Sequence, residues 1–321
     1  MQVIPEEVLR QRIGEDQAFA AVKRAFRALA NGKVRQPAPM ALDFPERRGE
    51  VHVKAAFIEG SPVFAIKVAS GFLANTDEGI DSGSGLLVVH DARTGAPLAI
   101  LADNGYLTDL RTGAAGALAL DLLAPPRVRR LGLLGTGRQG RHQLRAMARV
   151  RTLEQVNVWS PTAERLSAFC EEMSAELSLP VTGAPSAEAA LRNADVVVTT
   201  TPTRAPIVKL EWLVPHVTLI AVGADGSHKH EIETSVLKRA DKVIADDWSQ
   251  CIRMGEIHHA IVAHALELNR IHSELGKVLT GERSGREGDE MIVCDLTGVG
   301  AQDAAIAEHA WRTLCEPAQM V

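Results

Sequence analysis

One junction near the middle of the chain limits its folds more than any other feature. The apolar run Leu131-Gly132-Leu133-Leu134 enters the string Gly135-Thr136-Gly137-Arg138-Gln139-Gly140. A buried strand that turns through G-x-G-x-x-G and leaves as a helix presents unpaired backbone N–H groups and the positive end of a helix dipole. The glycines keep side chains out of the path of a pyrophosphate. A second strand-like run, Gln155 to Trp159, ends about 20 residues later, as a βαβ unit requires. Gly135, Gly137, Arg138, Gln139 and Gly140 are therefore candidate dinucleotide-binding residues. Because the junction lies mid-chain, the residues before Arg130 must build something else, read here as a substrate pocket and subunit contact.

From Arg130 onward strand and helix alternate. Strands are expected at Leu131 to Leu134, Gln155 to Trp159, Asp195 to Thr200, Thr218 to Val222, Lys242 to Ala245 and Met291 to Asp295, with helices after Gly140 and from Thr162. That pattern is a doubly wound parallel sheet. Before it lies an α+β layer. Phe19, Val22, Phe26 and Leu29 are spaced for a helix over Asp16 to Asn31, and strand runs follow at Val51 to Phe57 and Val63 to Val68. Leu86 to His90 and Pro97 to Leu101 flank a turn-forming stretch and make a hairpin. An Ala-rich helix runs to Leu120 with Thr108 or Asp109 as its expected N-cap, and Pro125-Pro126 ends it. A last helix, Ala301 to Leu314, is expected to return to the first domain. The expected division is 1–124 plus 305–321, a substrate-binding and dimerisation domain, and 125–304, a dinucleotide-binding Rossmann domain.

The 321 residues are 46% apolar with a net charge of -5 and no basic run, which argues against a nucleic-acid footprint. No stretch approaches the about 20 apolar residues of a membrane span, and the N-terminus lacks a signal-peptide pattern, so a cytoplasmic protein is expected. Cys170, Cys251, Cys294 and Cys315 lack C-x-x-C spacing, and no metal site is expected. His228 with His230, and His258 with His259, lack ligand spacing with a third partner. Ser82-Gly83-Ser84-Gly85 is not a nucleophile elbow. Cys251 reads as a buried helix residue, and Gly281 to Gly288 as an exposed loop.

At the tip of the second Rossmann strand, Ser160-Pro161-Thr162 replaces the acid that binds the ribose 2′-hydroxyl of NAD, and Arg165 follows. With Arg138 in the glycine loop, Ser160, Thr162 and Arg165 lean toward NADP over NAD. Thr200, Thr201 and Pro202 end a later strand, where hydroxyls can line the ribose or nicotinamide, although a Ser/Thr/Pro turn explains them equally well. Val222-Gly223-Ala224-Asp225-Gly226 likewise carries an acid, Asp225, to the end of a strand. Lys67 lies inside the apolar strand Phe64 to Val68. Arg111, read as first-turn in its helix, sits near a positive helix end, where a cation is disfavoured without an intervening anion. The two suit a carboxylate, Arg111 as bidentate fork and Lys67 as point charge.

Five strings together resemble the ornithine cyclodeaminase and mu-crystallin family: Phe64 to Lys67, Thr108 to Ala115, Gly135 to Gln139, Val222 to Asp225, and Asp295 to Asp303. The likeness spans nearly the whole chain. Asp103 to Asp109, His228 to Ile232 and Gly255 to Ile261 look most like cyclodeaminase-like proteins of bacterial ectoine utilisation. The resemblance implies an NAD(P)-dependent enzyme, usually a homodimer, acting at the Cα–N bond of an amino acid or cyclic imino acid. Members include cyclodeaminases, ketimine reductases of the pyrroline-2-carboxylate type, alanine dehydrogenase-like enzymes and a non-catalytic NADP-binding crystallin. It implies Lys67 and Arg111 as carboxylate ligands and Asp225 as the acid that exchanges protons with the substrate nitrogen. Thr112, Val222, Gly223, Thr297 and Gln302 join the implied cofactor set, Gly298 joins the substrate set, and Asp303 lies in the same closing loop.

Family members commonly carry an Arg upstream of Lys67, and Pro39 to Asp43 has none. Arg47, Arg48 or Lys54 are candidates to replace it. Lys54 falls about where ornithine-specific members carry an acid, and a cation there repels a second ammonium. A substrate with an acidic or neutral far end is the resulting expectation.

Overall fold

In the computed structural model residues 1–315 are described, and they form two units, Met1–Arg111 with the segment from Val299 onward, and Thr112–Gly298. The sequence reading put these divisions at 124/125 and 304/305. They lie where they do because the later part of the Ala-rich helix packs with the second unit.

The first unit opens with β1 (Gln2–Pro5), α1 (Glu6–Arg12) and α2 (Glu15–Ala30), followed by β2 (Val34–Arg35) and β3 (Met40–Phe44). The long strands β4 (Gly49–Ile58), β5 (Val63–Phe72), β6 (Gly83–Asp91) and β7 (Pro97–Ala102) come next, then α3 (Tyr106–Leu123), which crosses into the second unit. The sheet runs β1-β7-β6-β5-β4-β2, with β3 also paired to β4. All its pairings are antiparallel except β1 with β7. Strand alternation decides what is buried. Val63, Ala65 and Lys67 of β5 point inward, as do Lys54, Ala56 and Ile58 of β4 and Leu87 and Val89 of β6.

The second unit contains β8 (Val128–Leu134), α4 (Arg138–Val150), β9 (Leu153–Trp159), α5 (Ala163–Leu177), β10 (Val181–Gly183), α6 (Ala187–Leu191) and β11 (Val196–Thr199). It continues through β12 (Thr218–Ala221), α7 (Thr234–Arg239), β13 (Lys242–Ala245), α8 (Trp248–Cys251) and α9 (Gly255–Val262). It closes with β14 (Ile271–Glu274), α10 (Leu275–Thr280) and β15 (Ile292–Asp295). The eight strands are all parallel, in the order β10-β9-β8-β11-β12-β15-β13-β14. Chain order reverses between β8 and β11, so this is a doubly wound sheet whose switch point lies at the end of the glycine-loop strand. Apolar residues such as Val196, Val197, Leu219, Ile220 and Val293 are buried, as expected for strands covered on both faces.

The last helix, α11 (Gly300–Leu314), belongs to the first unit. It packs on α2, β4 and β5 through a run of small buried residues, including Ala301, Ala304, Ala305 and Ala307. No helix among the described residues is long and apolar enough to cross a membrane.

Two local readings are corrected and a third is refined. The Ala-rich helix starts at Tyr106, and its cap is Asp103, whose Oδ2 accepts from the Leu107 N–H at 2.8 Å. Asn104 and Gly105 make the turn at φ 51° and 82°. Thr108 and Asp109 are therefore helical, and Arg111 lies in the second turn, where the helix dipole exerts little pull. The helix after the glycine loop starts at Arg138, inside the loop. The Gly281 to Gly288 loop is largely exposed but anchored: Arg286 donates to the Leu123 carbonyl at 2.8 Å and to Thr218 Oγ1 at 2.8 Å.

Candidate active site

In the first unit the inward face of the sheet carries charge where a core is otherwise apolar. Lys67 is 2% exposed, Lys54 6%, Arg111 5% and Asp303 2%. Antiparallel register sets Lys54 directly opposite Lys67 on the same face. Asp303, one turn into α11, bridges two of the cations: its Oδ2 lies 2.9 Å from Lys67 Nζ, and its Oδ1 accepts from Arg111 Nε at 2.8 Å. Arg111 Nη1 also donates to Gln302 Oε1 at 3.0 Å. The Asp303 carboxyl stays below the ordinary range. Burial alone would push it up, but Arg111, Lys67 and Lys54 outweigh that. Lys67 is pulled down to about 7, first by burial and then by Arg111 and Lys54, against the opposing pull of Asp303. Burial lifts Asp103, at the head of α3, to about 6. The cluster thus holds cations that are costly to keep charged without an anion.

Arg47 and Arg48 do not join this cluster. Arg47 pairs with Glu78 at 2.7 Å and Arg48 with Asp77, all of them exposed. The Gln302 side chain is fully buried in the first unit with its amide oxygen on Arg111.

In the second unit the glycine loop has the form of an anion cradle. Gly135 adopts φ 110°, and a Cβ there would stand 2.5 Å from Thr200 Oγ1. A Cβ on Gly140 would stand 2.5 Å from the Gly135 carbonyl. These two glycines let the loop close on itself. Gly137 differs, because a Cβ there meets nothing within 4 Å. It is the N-cap of α4, and as a glycine it offers that helix no side-chain cap of its own. A bare helix N-terminus beside open space fits a pyrophosphate. Arg138 and Gln139 are half-buried on its first turn.

Around this loop, Ser160 and Thr162 are half-buried at the tip of β9, and the first turn of α5 exposes Glu164 as well as Arg165. The Thr112 carbonyl accepts from Gln143 Nε2 at 3.0 Å. The Thr200 hydroxyl donates to the Leu134 carbonyl at 3.1 Å, and Pro202 is exposed. Thr201 turns toward Glu231, donating from both N–H and Oγ1 at 2.6 and 2.7 Å. Thr199 Oγ1 and the Gly223 N–H complete this grip at 2.7 and 2.8 Å. Val222 is buried, its N–H on the Thr199 carbonyl at 3.0 Å. Glu231 thereby ties the ends of β11 and β12 together, and a Cβ on Gly223 would collide with Thr201.

Thr297 and Gly298 are held from below. Asp246 accepts from Thr297 Oγ1 at 3.0 Å and from the Gly298 N–H at 2.6 Å, while Gln250 Nε2 reaches Thr297 Oγ1 at 2.8 Å. Cys251 lies in a single short helical turn rather than an amphipathic helix, with its thiol on Asp246 at 3.2 Å. Burial raises its pKa well above the ordinary value, and Asp246 and Asp295 add to the rise, so it is a poor nucleophile. Asp225 is partly exposed and paired with Lys229 at 2.6 Å. Glu231, Asp246, Glu256 and Asp295 form a buried acidic layer, each raised by burial. Glu231, Glu256 and Asp295 lie in strings that carry the family resemblance, but the sequence does not show that they form a layer with Asp246, because its members are brought together from distant positions.

The geometry is matched by known proteins. A protein of Rhizobium meliloti (strain 1021), provisionally named a dehydrogenase, is 42% identical over 313 residues, covering 97% of this chain and 95% of its own. An alanine dehydrogenase of Archaeoglobus fulgidus is 34% identical over 310 residues, covering 95% and 92%. Among solved structures, the Thermococcus litoralis Delta(1)-pyrroline-2-carboxylate reductase in complex with NADH and L-proline superposes with a TM-score of 0.93. It is 28% identical and covers 98% of this chain and 97% of its own. The family model described as the ornithine cyclodeaminase/mu-crystallin family matches residues 4–314, and the chain belongs to that family.

Proposed function

We propose that this protein is an NAD(P)-dependent enzyme acting at the Cα–N bond of an amino or imino acid, working as an imine reductase or amino acid dehydrogenase. The observation that carries this reading is the buried set Lys67, Arg111 and Asp303. A bidentate guanidinium and an ammonium poised near neutrality suit the carboxylate of a small acid. The names of the relatives, an alanine dehydrogenase and a reductase solved with NADH and L-proline, support the same chemistry.

The nicotinamide cofactor fits the cradle at Gly135, Gly137 and Gly140, with its pyrophosphate at the N-terminus of α4. When bound it supplies the hydride. The chain's own part is to fix the carboxylate through Lys67 and Arg111, so that the α-carbon is presented in one orientation. Asp225, paired with Lys229 at 2.6 Å, is the group assigned to the nitrogen proton. Of the two cofactors NADP is preferred: Arg138 and Arg165 outnumber Glu164 for contact with a 2′-phosphate.

A homodimer is proposed through the first unit, which exposes Val3, Met40, Leu42 and Ile80. A reducing, cytoplasmic setting agrees with the four free thiols. The enzymatic reading is tested by following reduced-nicotinamide absorbance with a panel of cyclic imino acids, and of 2-oxo acids with ammonium. Carboxylate-dependent oxidation that is lost in Arg111→Ala is the expected result. No turnover with any member, in either direction, removes the reading.

A further inference from the structure

The second unit brings together two strings that are apart in the sequence, His228 to Ile232 and Gly255 to Ile261. Glu256 and His259 stand at i and i+3 on α9 and so share one face of that helix. Glu256, fully buried, accepts from the Glu231 N–H at 2.7 Å and from the Ile232 N–H at 3.2 Å. One turn on, His259 Nε2 meets the Lys229 carbonyl at 2.7 Å. A carbonyl oxygen only accepts, so this ring carries a proton on Nε2 and donates it. The His230 ring, which lies between these anchors in sequence, stacks on His259 with centroids 4.1 Å apart and planes 15° from parallel. Burial holds both histidines below their ordinary range, so they stack as neutral rings near pH 7.

The segment gripped by α9 in turn holds Asp225 from two sides. Lys229 Nζ pairs with Asp225 Oδ1 at 2.6 Å, and Glu231 Oε2 accepts at 2.8 Å from the N–H of Gly223, two residues before Asp225. Resting on the reading that Asp225 exchanges protons with the substrate nitrogen, we propose that His259 and Glu256 are positioning residues for it. The helix clamps the backbone of Lys229 to Ile232, and that segment sets where the Asp225 carboxylate stands. Proton transfer requires hydrogen-bond reach, and a carboxylate whose side chain is 43% exposed takes its place from directed contacts more than from close packing. The part of His259 is its hydrogen bond to the Lys229 carbonyl, and the part of Glu256 is its pair of backbone N–H bonds.

The experiment separates the hydrogen bond of His259 from its packing. His259→Gln keeps an N–H donor where Nε2 stands but loses the ring, whereas His259→Phe keeps a ring over His230 but loses the donor. With the acid panel and reduced cofactor, His259→Phe is expected to lower kcat at least about tenfold while KM for cofactor stays within about twofold, and His259→Gln is expected to recover most of that loss. Hydrogen exchange over residues 225–232 is expected to quicken in His259→Phe and to stay parental in His259→Gln. Asp225→Asn combined with His259→Phe is expected to be no slower than Asp225→Asn alone, because residues that act through one group are not additive. Losses that add, a His259→Phe enzyme as fast as the parent, or a His259→Gln enzyme no better than His259→Phe overturns the positioning role and leaves Asp225 its own. An Asp225→Asn enzyme with parental kcat removes the reading of Asp225, and the positioning role with it. A parent that turns over no member of the panel removes the enzymatic reading. Exchange then decides the clamp alone: it is upheld if exchange quickens only in His259→Phe and overturned if it does not.

Discussion

At the scale of residues, the buried charges of the first unit define the chemistry, and Lys67 is the one most sensitive to conditions. Its ammonium titrates near 7, facing Arg111, Lys54 and Asp303, with Asp103 close enough to feel its charge. Because kcat/KM reports the free enzyme, it is expected to fall as pH rises through about 7, when Lys67 loses the proton that attracts the carboxylate. Lys67→Arg keeps its charge throughout and is expected to abolish that descending limb. A pH profile with the same limb in the variant would assign the titration elsewhere. Stability carries the opposite sign. Between about 7 and 10.5 the unfolded chain binds the proton that folded Lys67 has shed, so this residue contributes stability that grows with pH. Lys67 stood out in the sequence as a cation in an apolar strand, whereas Arg111 was singled out by a first-turn placement that the helix start at Tyr106 removes. Asp103 was not recognised as the cap, although Asp103-Asn104-Gly105 is a turn-forming string, because the hydroxyl and acid that follow looked equally suitable.

At the scale of elements, the strand-loop-helix at Leu131 to Val150 separates two jobs that glycine performs. Gly135 needs its φ of 110° and a clear approach to Thr200, whereas Gly137 needs only the space in front of it. Gly137→Ala is therefore expected to melt within about 0.5 kcal/mol of the parent yet lose cofactor affinity at least tenfold. Gly135→Ala is expected to lose about 1–3 kcal/mol of stability from the strained backbone alone. Differential scanning calorimetry with and without NADPH distinguishes them, and equal behaviour of the two variants would deny Gly137 its place at the ligand. The parallel strands were readable because each is a short buried apolar run between turn formers. β3 and β14 escaped notice for the converse reason: Met40 to Phe44 is mostly exposed, and Ile271 to Glu274 is half polar, so neither shows a clean period.

At the scale of the molecule, the described residues form two units with separate sheets, and the proposed function assigns acid binding to the first and nucleotide binding to the second. Cofactor at about 100 times its Kd is expected to add about 2.7 kcal/mol of stability. In hydrogen exchange the gain in protection is expected at Gly135 to Gly140 and along α4. Protection that grew instead only within the sheet of residues 49–102 would place the nucleotide in the wrong unit. The order of the strands in the second sheet was only partly legible, because β15, late in sequence, inserts between β12 and β13, a choice made by packing across the whole sheet. The first unit is likewise finished by the end of the chain, since Asp303 reaches Arg111 across 192 residues. During synthesis the lysines and arginine of the early sheet therefore leave the ribosome long before their counter-ion exists. A chain cut before Asp303 leaves Lys67 and Arg111 without the carboxylate that bridges them, and burying those cations then costs several kcal/mol more.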